Sequence, residues 1–175
     1  MAHISNLGSG IYSYLDIFTG TITTKSTAAE CAAYFVGGTP GTADATHVRM
    51  PSVREFPSVG TPANIVNVPV FGQATSSQVQ GQADAPSLEV TVNYVADDMT
   101  AFHTLIGQEC VFRFMMAASP VTQDEGAAAS ITPTNTEFYF VGKIEAILVN
   151  ASLTDATTAT VTLSTQTDFF GPATL

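Results

Sequence analysis

Between Ser87 and Met116 the hydrophobic period changes from two to about 3.6 and back to two, which predicts strand, helix, strand. From Ser87 to Tyr94 polar and apolar residues alternate, setting Leu88, Val90, Val92 and Tyr94 against Glu89, Thr91 and Asn93. Asp97 and Asp98 then open a helix carrying Met99, Phe102, Leu105 and Ile106 at helical spacing. The two carboxylates suit the positive end of that helix, and Gly107 is placed to end it in a left-handed conformation. Past Gly107, Cys110, Phe112, Phe114 and Met116 alternate with Glu109, Val111 and Arg113.

The same reading extends along the chain. Residues 1 to about 46 are rich in Gly, Ser, Thr and Ala, with weak periodicity apart from Ile11–Leu15 and a short helical segment at Ser26–Tyr34. They read as an N-terminal arm. His47–Phe56 and Ile65–Phe71 alternate as strands, with Pro51, Pro57, Pro62 and Pro69 at their ends or edges. Gly72–Pro86 is polar and rich in Gln, Ser and Ala, so it is either a loop or a strand ordered against a neighbour. Ala117–Asn135 reads as a second loop, closed by Pro133. The longest strand signal is Thr136–Asn150, with Phe138 and Phe140 facing opposite to Glu137, Tyr139 and Val141, and Gly142 marking a bulge or bend. Thr157–Thr167 sets Ala159, Val161 and Leu163 against Thr158, Thr160, Thr162 and Ser164. In the tail about 168–175, Phe169 and Phe170 fall outside any strand period. They anchor either a C-terminal arm on a partner or a segment folded onto its own core.

Composition sharpens this picture. The chain has 175 residues, enough for one domain with a substantial core, and with 45% hydrophobic but only 11% charged residues its solvated faces are built largely of hydroxyls and amides. Five basic residues against fifteen acidic ones give a formal charge of −10, which excludes a phosphate-gripping surface of the usual kind. Cys31 and Cys110 lie far apart with no ligand spacing and read as buried thiols. No apolar run approaches the ~20 residues of a membrane helix, and Met1–Asn6 lacks the pattern of a signal peptide, so folding in a cytoplasm is expected. On that expectation the sequon Asn150–Ser152 is a chance match.

Catalytic chemistry finds little support. His3, His47 and His103 have no metal-ligand spacing, and His103 beside Phe102 reads as a partly buried structural histidine. Asp97–Asp98 reads as a helix cap and not an acid/base pair. Gly8–Gly10 and Gly37–Gly41 are turns without the Lys-Ser/Thr of a phosphate loop. No catalytic residue, metal or cofactor is expected. With no repeat, about seven strands and one helix predict a mainly β fold, either a small β-sandwich or partly open barrel or a sheet completed by neighbouring copies, which disposes of exposed strand edges.

One resemblance gives these expectations a direction. Val70-Phe71-Gly72-Gln73, Gln80–Pro86 and Leu88–Tyr94, continuing through the helix, Phe112-Arg113-Phe114, Phe138–Ile144 and Thr160–Leu163, resemble the central part of the major tail tube proteins of long-tailed, siphovirus-like bacteriophages. The likeness spans roughly residues 47 to 167 and lies in the order of elements, with no diagnostic motif. It implies a single tail tube domain, hexameric rings whose inner sheets close a barrel between subunits, and stacking of rings into a conduit for the genome. It implies a virion tail assembled in the host cytoplasm, with terminator, tape measure and distal tail proteins as further partners, DNA as unbound cargo and no membrane contact. Six chains would carry a formal −60, six times the −10 of one chain, and an acidic, hydroxyl-bearing lumen would let DNA phosphates slide past.

On this reading Glu89, Thr91, Glu137, Glu145, Thr160 and Thr162, all on polar strand faces, are candidates to line the lumen. In the loop about 72–86, Gln73, Ser76, Ser77, Gln78, Gln80, Gln82 and Asp84 are candidates for contacts between subunits. The alternative is an acidic β-sandwich decoration or fibre module that binds a glycan or host surface. Such modules display aromatics in loops, whereas Trp is absent here and the aromatics fall mostly on apolar faces.

Overall fold

The computed structural model describes residues 11–35, 46–60, 65–72, 74–81, 87–117, 120 and 136–173. Ten strands and two helices follow in the order β1 Ser13–Phe18, α1 Ala28–Ala33, β2 His47–Arg49, β3 Val53–Glu55, β4 Ile65–Val68, β5 Ser77–Gln80, β6 Ser87–Asn93, α2 Ala96–Thr104, β7 Glu109–Met116, β8 Thr136–Asn150, β9 Thr158–Thr165 and β10 Phe170–Ala173. The fold is mainly β, as the alternation predicts, but eight of the strands form one curled, half-barrel sheet instead of two packed layers. Its order is β2-β1-β7-β8-β9-β6-β3, with β10 also on β8, and β4 and β5 stand apart as a two-stranded hairpin.

The long strand β8 organises the sheet. Its first half, Thr136–Lys143, pairs with β7, and from Gly142 onward its other side pairs with β9 up to Asn150. Beyond β9 the chain continues along that same side as β10, where Phe170 faces Tyr139. Gly142 sits at the crossing of these pairings, and a Cβ there would lie 2.2 Å from the carbonyl oxygen of Ser164. Only glycine lets β9 approach so closely. The register bulge falls between Ile144 and Ala146, just past the Gly142 that the sequence marks for a bulge or bend.

Both faces of the sheet's centre are buried. On one, Leu15, Ile17, Phe112, Phe114, Phe140, Ile144, Val161, Leu163, Val90 and Val92 pack with Met99 and Phe102 of α2 and with Leu105 at its C-cap. Phe112 and Phe140, opposite each other in register, stack with centroids 4.9 Å apart and planes 7° from parallel. On the other face, Cys31, Ala32 and Phe35 lie on Val111, Tyr139 and Val141, with α1 contributing the cover. α1 is held by a capping box, in which Thr27 Oγ1 accepts from the Glu30 N–H and the Glu30 carboxylate accepts from the Thr27 N–H. The short helical segment that the sequence suggests at Ser26–Tyr34 is thus present as α1, the one-helix fold reading is corrected to two, and Thr27-x-x-Glu30 is the signature of the added one.

Several other expectations change. Residues 13–18 are no arm: β1 lies inside the sheet between β2 and β7, and Leu15 and Ile17 enter the core. The tail is likewise intramolecular. Phe169 packs on Phe140 at 5.1 Å and Phe170 joins the cluster beneath α1, so both aromatics anchor the segment to its own sheet. Asp97 and Asp98 sit in the first turn of α2 without a side-chain cap bond, where their charge meets the positive helix end. Gly107 does adopt the left-handed conformation, at φ +79°, and its N–H donates to the Ile144 carbonyl at 2.8 Å. His103 is exposed instead of partly buried.

Candidate assembly surface

Among the described residues, the sheet's second face is covered at one end and bare at the other. In the covered end a row of polar side chains runs across four strands. Arg49 on β2, Asp16 on β1, Arg113 on β7 and Tyr139 on β8 are register partners in succession. Arg49 Nε donates to Asp16 Oδ1 at 2.7 Å, and Arg113 Nη2 donates to Asp16 Oδ2 at 2.6 Å. The Arg113 guanidinium lies 4.6 Å from the centre of the Phe35 ring, and Tyr139 Oη donates to the Glu137 carboxylate. Burial first, then the bond and charge of Glu137, push the Tyr139 phenol well above its ordinary range.

Glu137 is therefore set apart from the other lumen candidates. It shares their side of the sheet, but it is only 2% exposed, so the expectation that it stands on a solvated polar face is corrected. Its carboxylate serves Tyr139, because α1 and β10 cover this end of β8.

The five remaining candidates fall together on the bare end. Glu89 is the register partner of Thr162, and Thr91 of Thr160. Across β9, Thr162 faces Ala146 and Thr160 faces Leu148. Glu145 occupies the bulge and accepts a hydrogen bond from Ser164 Oγ. Rows Ser87–Ser164–Lys143 and Asn93–Thr158–Asn150 frame the patch. This is a three-stranded surface of hydroxyls and amides with two carboxylates and one ammonium, to which β8 adds Ala146 and the exposed Leu148, while Val90, Val92, Ala159, Val161 and Leu163 fill the opposite face.

The edges of this part are also open. Among the described residues no strand pairs with Glu145–Asn150 on the β7 side, because β7 ends at the Glu109–Lys143 pair and only a bridge from Ile106 to Ile144 follows. At the other side β3 reaches β6 only at Thr91 and Val92, so Ser87–Val90 has no outer strand among the described residues. Leu148, Val149 and Leu153 stand exposed around the far end of β8. A six-residue strand edge flanked by apolar side chains is a template for another strand.

Within the segment 72–86, which its sequence leaves open between loop and strand, Ser77–Gln80 forms β5 of the hairpin with β4. Ser77, Gln78 and Gln80 lie on β5 and Ser76 directly precedes it, all exposed. Gln73, Gln82 and Asp84 lie outside the described residues, as does His3.

Nucleophile and metal chemistry are scarce. Cys31 and Cys110 are buried free thiols, and burial first, then the neighbouring charges of Glu30 and Glu109, push each up to about 11. Among the described residues no three His, Cys, Asp or Glu side chains are grouped to hold a metal ion, and no helix is long and apolar enough to cross a membrane. His47 is buried, its Nε2 2.6 Å from the Tyr34 carbonyl oxygen. The sequence reading missed the Asp16 row; its one signal was the apolar Val111 and Met115 beside Arg113, which mark β7 as buried on both faces. No protein-family model matches the chain, and no curated protein matches it.

Proposed function

We propose that this chain is a structural subunit that assembles with copies of itself into rings and stacked tubes, a hollow conduit of the bacteriophage tail tube kind through which a genome passes. The observation that carries this reading is the half-open sheet: β8, β9 and β6 present a bare hydroxyl and carboxylate face whose lateral edges are unpaired among the described residues. Strand parity supports closure between copies. β8, β9, β6 and β3 are successively antiparallel, so the β3 edge of one copy would meet the β8 edge of the next antiparallel, whereas the open Ser87–Val90 edge of β6 would meet it in parallel pairing. Six copies per ring is the number that the resemblance implies.

Charge fits the cargo. Of the five basic residues, Arg49 and Arg113 are drawn into the Asp16 row and Lys25 pairs with Glu109, leaving Arg54 and Lys143 against a surface rich in carboxylates. A lumen built from the Glu89, Thr91, Glu145, Thr160 and Thr162 face would hold few cations and release few counterions, so DNA would pass without being gripped. Negative-stain micrographs of the purified protein test the proposal. Rings or tubes with a central hole are expected; a strict monomer in sedimentation at high concentration, with no such particles, would overturn it.

A further inference from the structure

We infer that Tyr34 is a proton-controlled latch that holds the strap from Thr19 to Thr27 against α1. The strap joins β1 to α1 without regular structure. Tyr34, the C-cap residue of α1, sets its ring against Phe18 with centroids 4.8 Å apart, and its hydroxyl reaches the middle of the strap. The Thr23 N–H donates to Tyr34 Oη at 2.7 Å and the Thr24 N–H at 2.9 Å, Thr23 Oγ1 lies 3.3 Å away, and Oη itself donates to the Thr24 carbonyl at 2.9 Å. Two successive backbone N–H groups aimed at one oxygen make a concavity suited to an anion. Other bonds tie the ends of the strap: the Thr19 N–H donates to the Thr46 carbonyl, and the Ser26 and Thr27 N–H groups donate to the Glu30 carboxylate. Its centre depends on Tyr34.

Loss of the phenol proton strengthens this hold. Oη then gives up the Thr24 carbonyl as a partner, but both N–H groups and the Thr23 hydroxyl bond a full charge, and charge-assisted bonds are about twice as strong as neutral ones. Burial opposes the charge, yet the bonds from Thr23 and Thr24 outweigh it and draw the phenol down from 10 to about 8. A depressed pKa adds stability that is whole above pH 10 and is lost as the pH falls through 8, so the latch tightens on alkaline titration. The charged and titratable groups around it are Glu30 on its own helix, Lys25 on the strap with Glu109 of β7 as its partner, and His47 of β2, whose Nε2 lies 2.6 Å from the Tyr34 carbonyl oxygen; beneath the neighbouring Phe35 lie Arg113 of β7 and Tyr139 of β8. Carboxylates, imidazoles and amines ordinarily have midpoints outside pH 7 to 9. Burial, then the charge of Glu30, holds the Cys31 thiol at about 11, so the proton lost in that window is Tyr34's own.

The latch is independent of the self-assembly reading, and the intact chain tests it. Ultraviolet absorbance of tyrosinate should show the first of the five tyrosines ionising near pH 8, a step that Tyr34→Phe removes while keeping the ring on Phe18. Trypsin reports on the strap itself, because Lys25 lies within it. Relative to a free peptide of the same sequence, cleavage after Lys25 should slow at least about threefold from pH 7 to pH 9 in the wild type, whereas in Tyr34→Phe the relative rate should stay constant over that range. Absence of tyrosinate below pH 9, a step near pH 8 that persists in Tyr34→Phe, or wild-type cleavage that does not slow would each overturn the inference and leave the proposed function standing. The two wild-type measurements decide the matter even where the variant fails to fold.

Discussion

The two halves of β8 show that cover and composition are separate properties of a strand. From Thr136 to Lys143 it lies between β7 and β10 with α1 across one face. From Glu145 to Asn150 it has β9 on one side, with no strand on the other among the described residues, and its second face is bare. Yet this second half reads Glu-Ala-Ile-Leu-Val-Asn, and Leu148 is 60% exposed. Residues suited to burial have been left outside. The first face of both halves belongs to the core of one copy, and on the proposed self-assembly the open half is what a second copy would complete.

The comparison breaks most sharply at its pivot. Gly142→Val drives a side chain into the Ser164 carbonyl, backbone that cannot swing away, so a loss of at least about 4 kcal/mol is expected in urea denaturation. An unchanged midpoint would mean that β8 and β9 are not in such contact. Next comes the ionic row. Arg113→Met leaves the buried Asp16 carboxylate with Arg49 alone and should cost about 3 kcal/mol, while Asp16→Leu combined with Arg113→Met should recover part of that loss. Additive losses in this double-mutant cycle would show that the row is not coupled.

A smaller effect appears on alkaline titration. Folding raises both thiols from an ordinary 9 to about 11, so their stabilisation is whole below pH 9 and disappears as the pH rises through 11. A fall of the order of 2 kcal/mol per thiol should appear in chemical denaturation across that window. Cys31→Ala with Cys110→Ala should flatten it; an unchanged slope would assign the fall to other groups. The smallest effect belongs to the bare face, where Thr160→Ala and Thr162→Ala should each move the stability of one copy by less than about 0.5 kcal/mol. A loss above about 1 kcal/mol would show that this face is covered within a single chain.

Much of this division was written in local pattern. Alternation assigns the faces of β6, β7 and β9 correctly because neighbouring positions on a strand always point apart, and Thr27 with Glu30 marks α1. Cover was not legible. Glu137 and Glu89 look alike in sequence, and the positions of α1 and β10, fixed by contacts distant along the chain, make one buried and leave the other exposed. Asp16 meets Arg49 and Arg113 across separations of 33 and 97 residues, which no local window spans. β5 has a single apolar residue, Val79, and owes its strand to pairing with β4.

The Asp16 to Arg113 pairing also sets a clock for synthesis. β1 leaves the ribosome first, but the strand that must flank it follows 97 residues later. At roughly 5 to 20 residues per second that is a wait of about 5 to 20 s, during which β1 has β2 alone as a neighbour in the sheet. The carboxylate that interrupts the apolar residues of β1 becomes its register lock once β7 arrives.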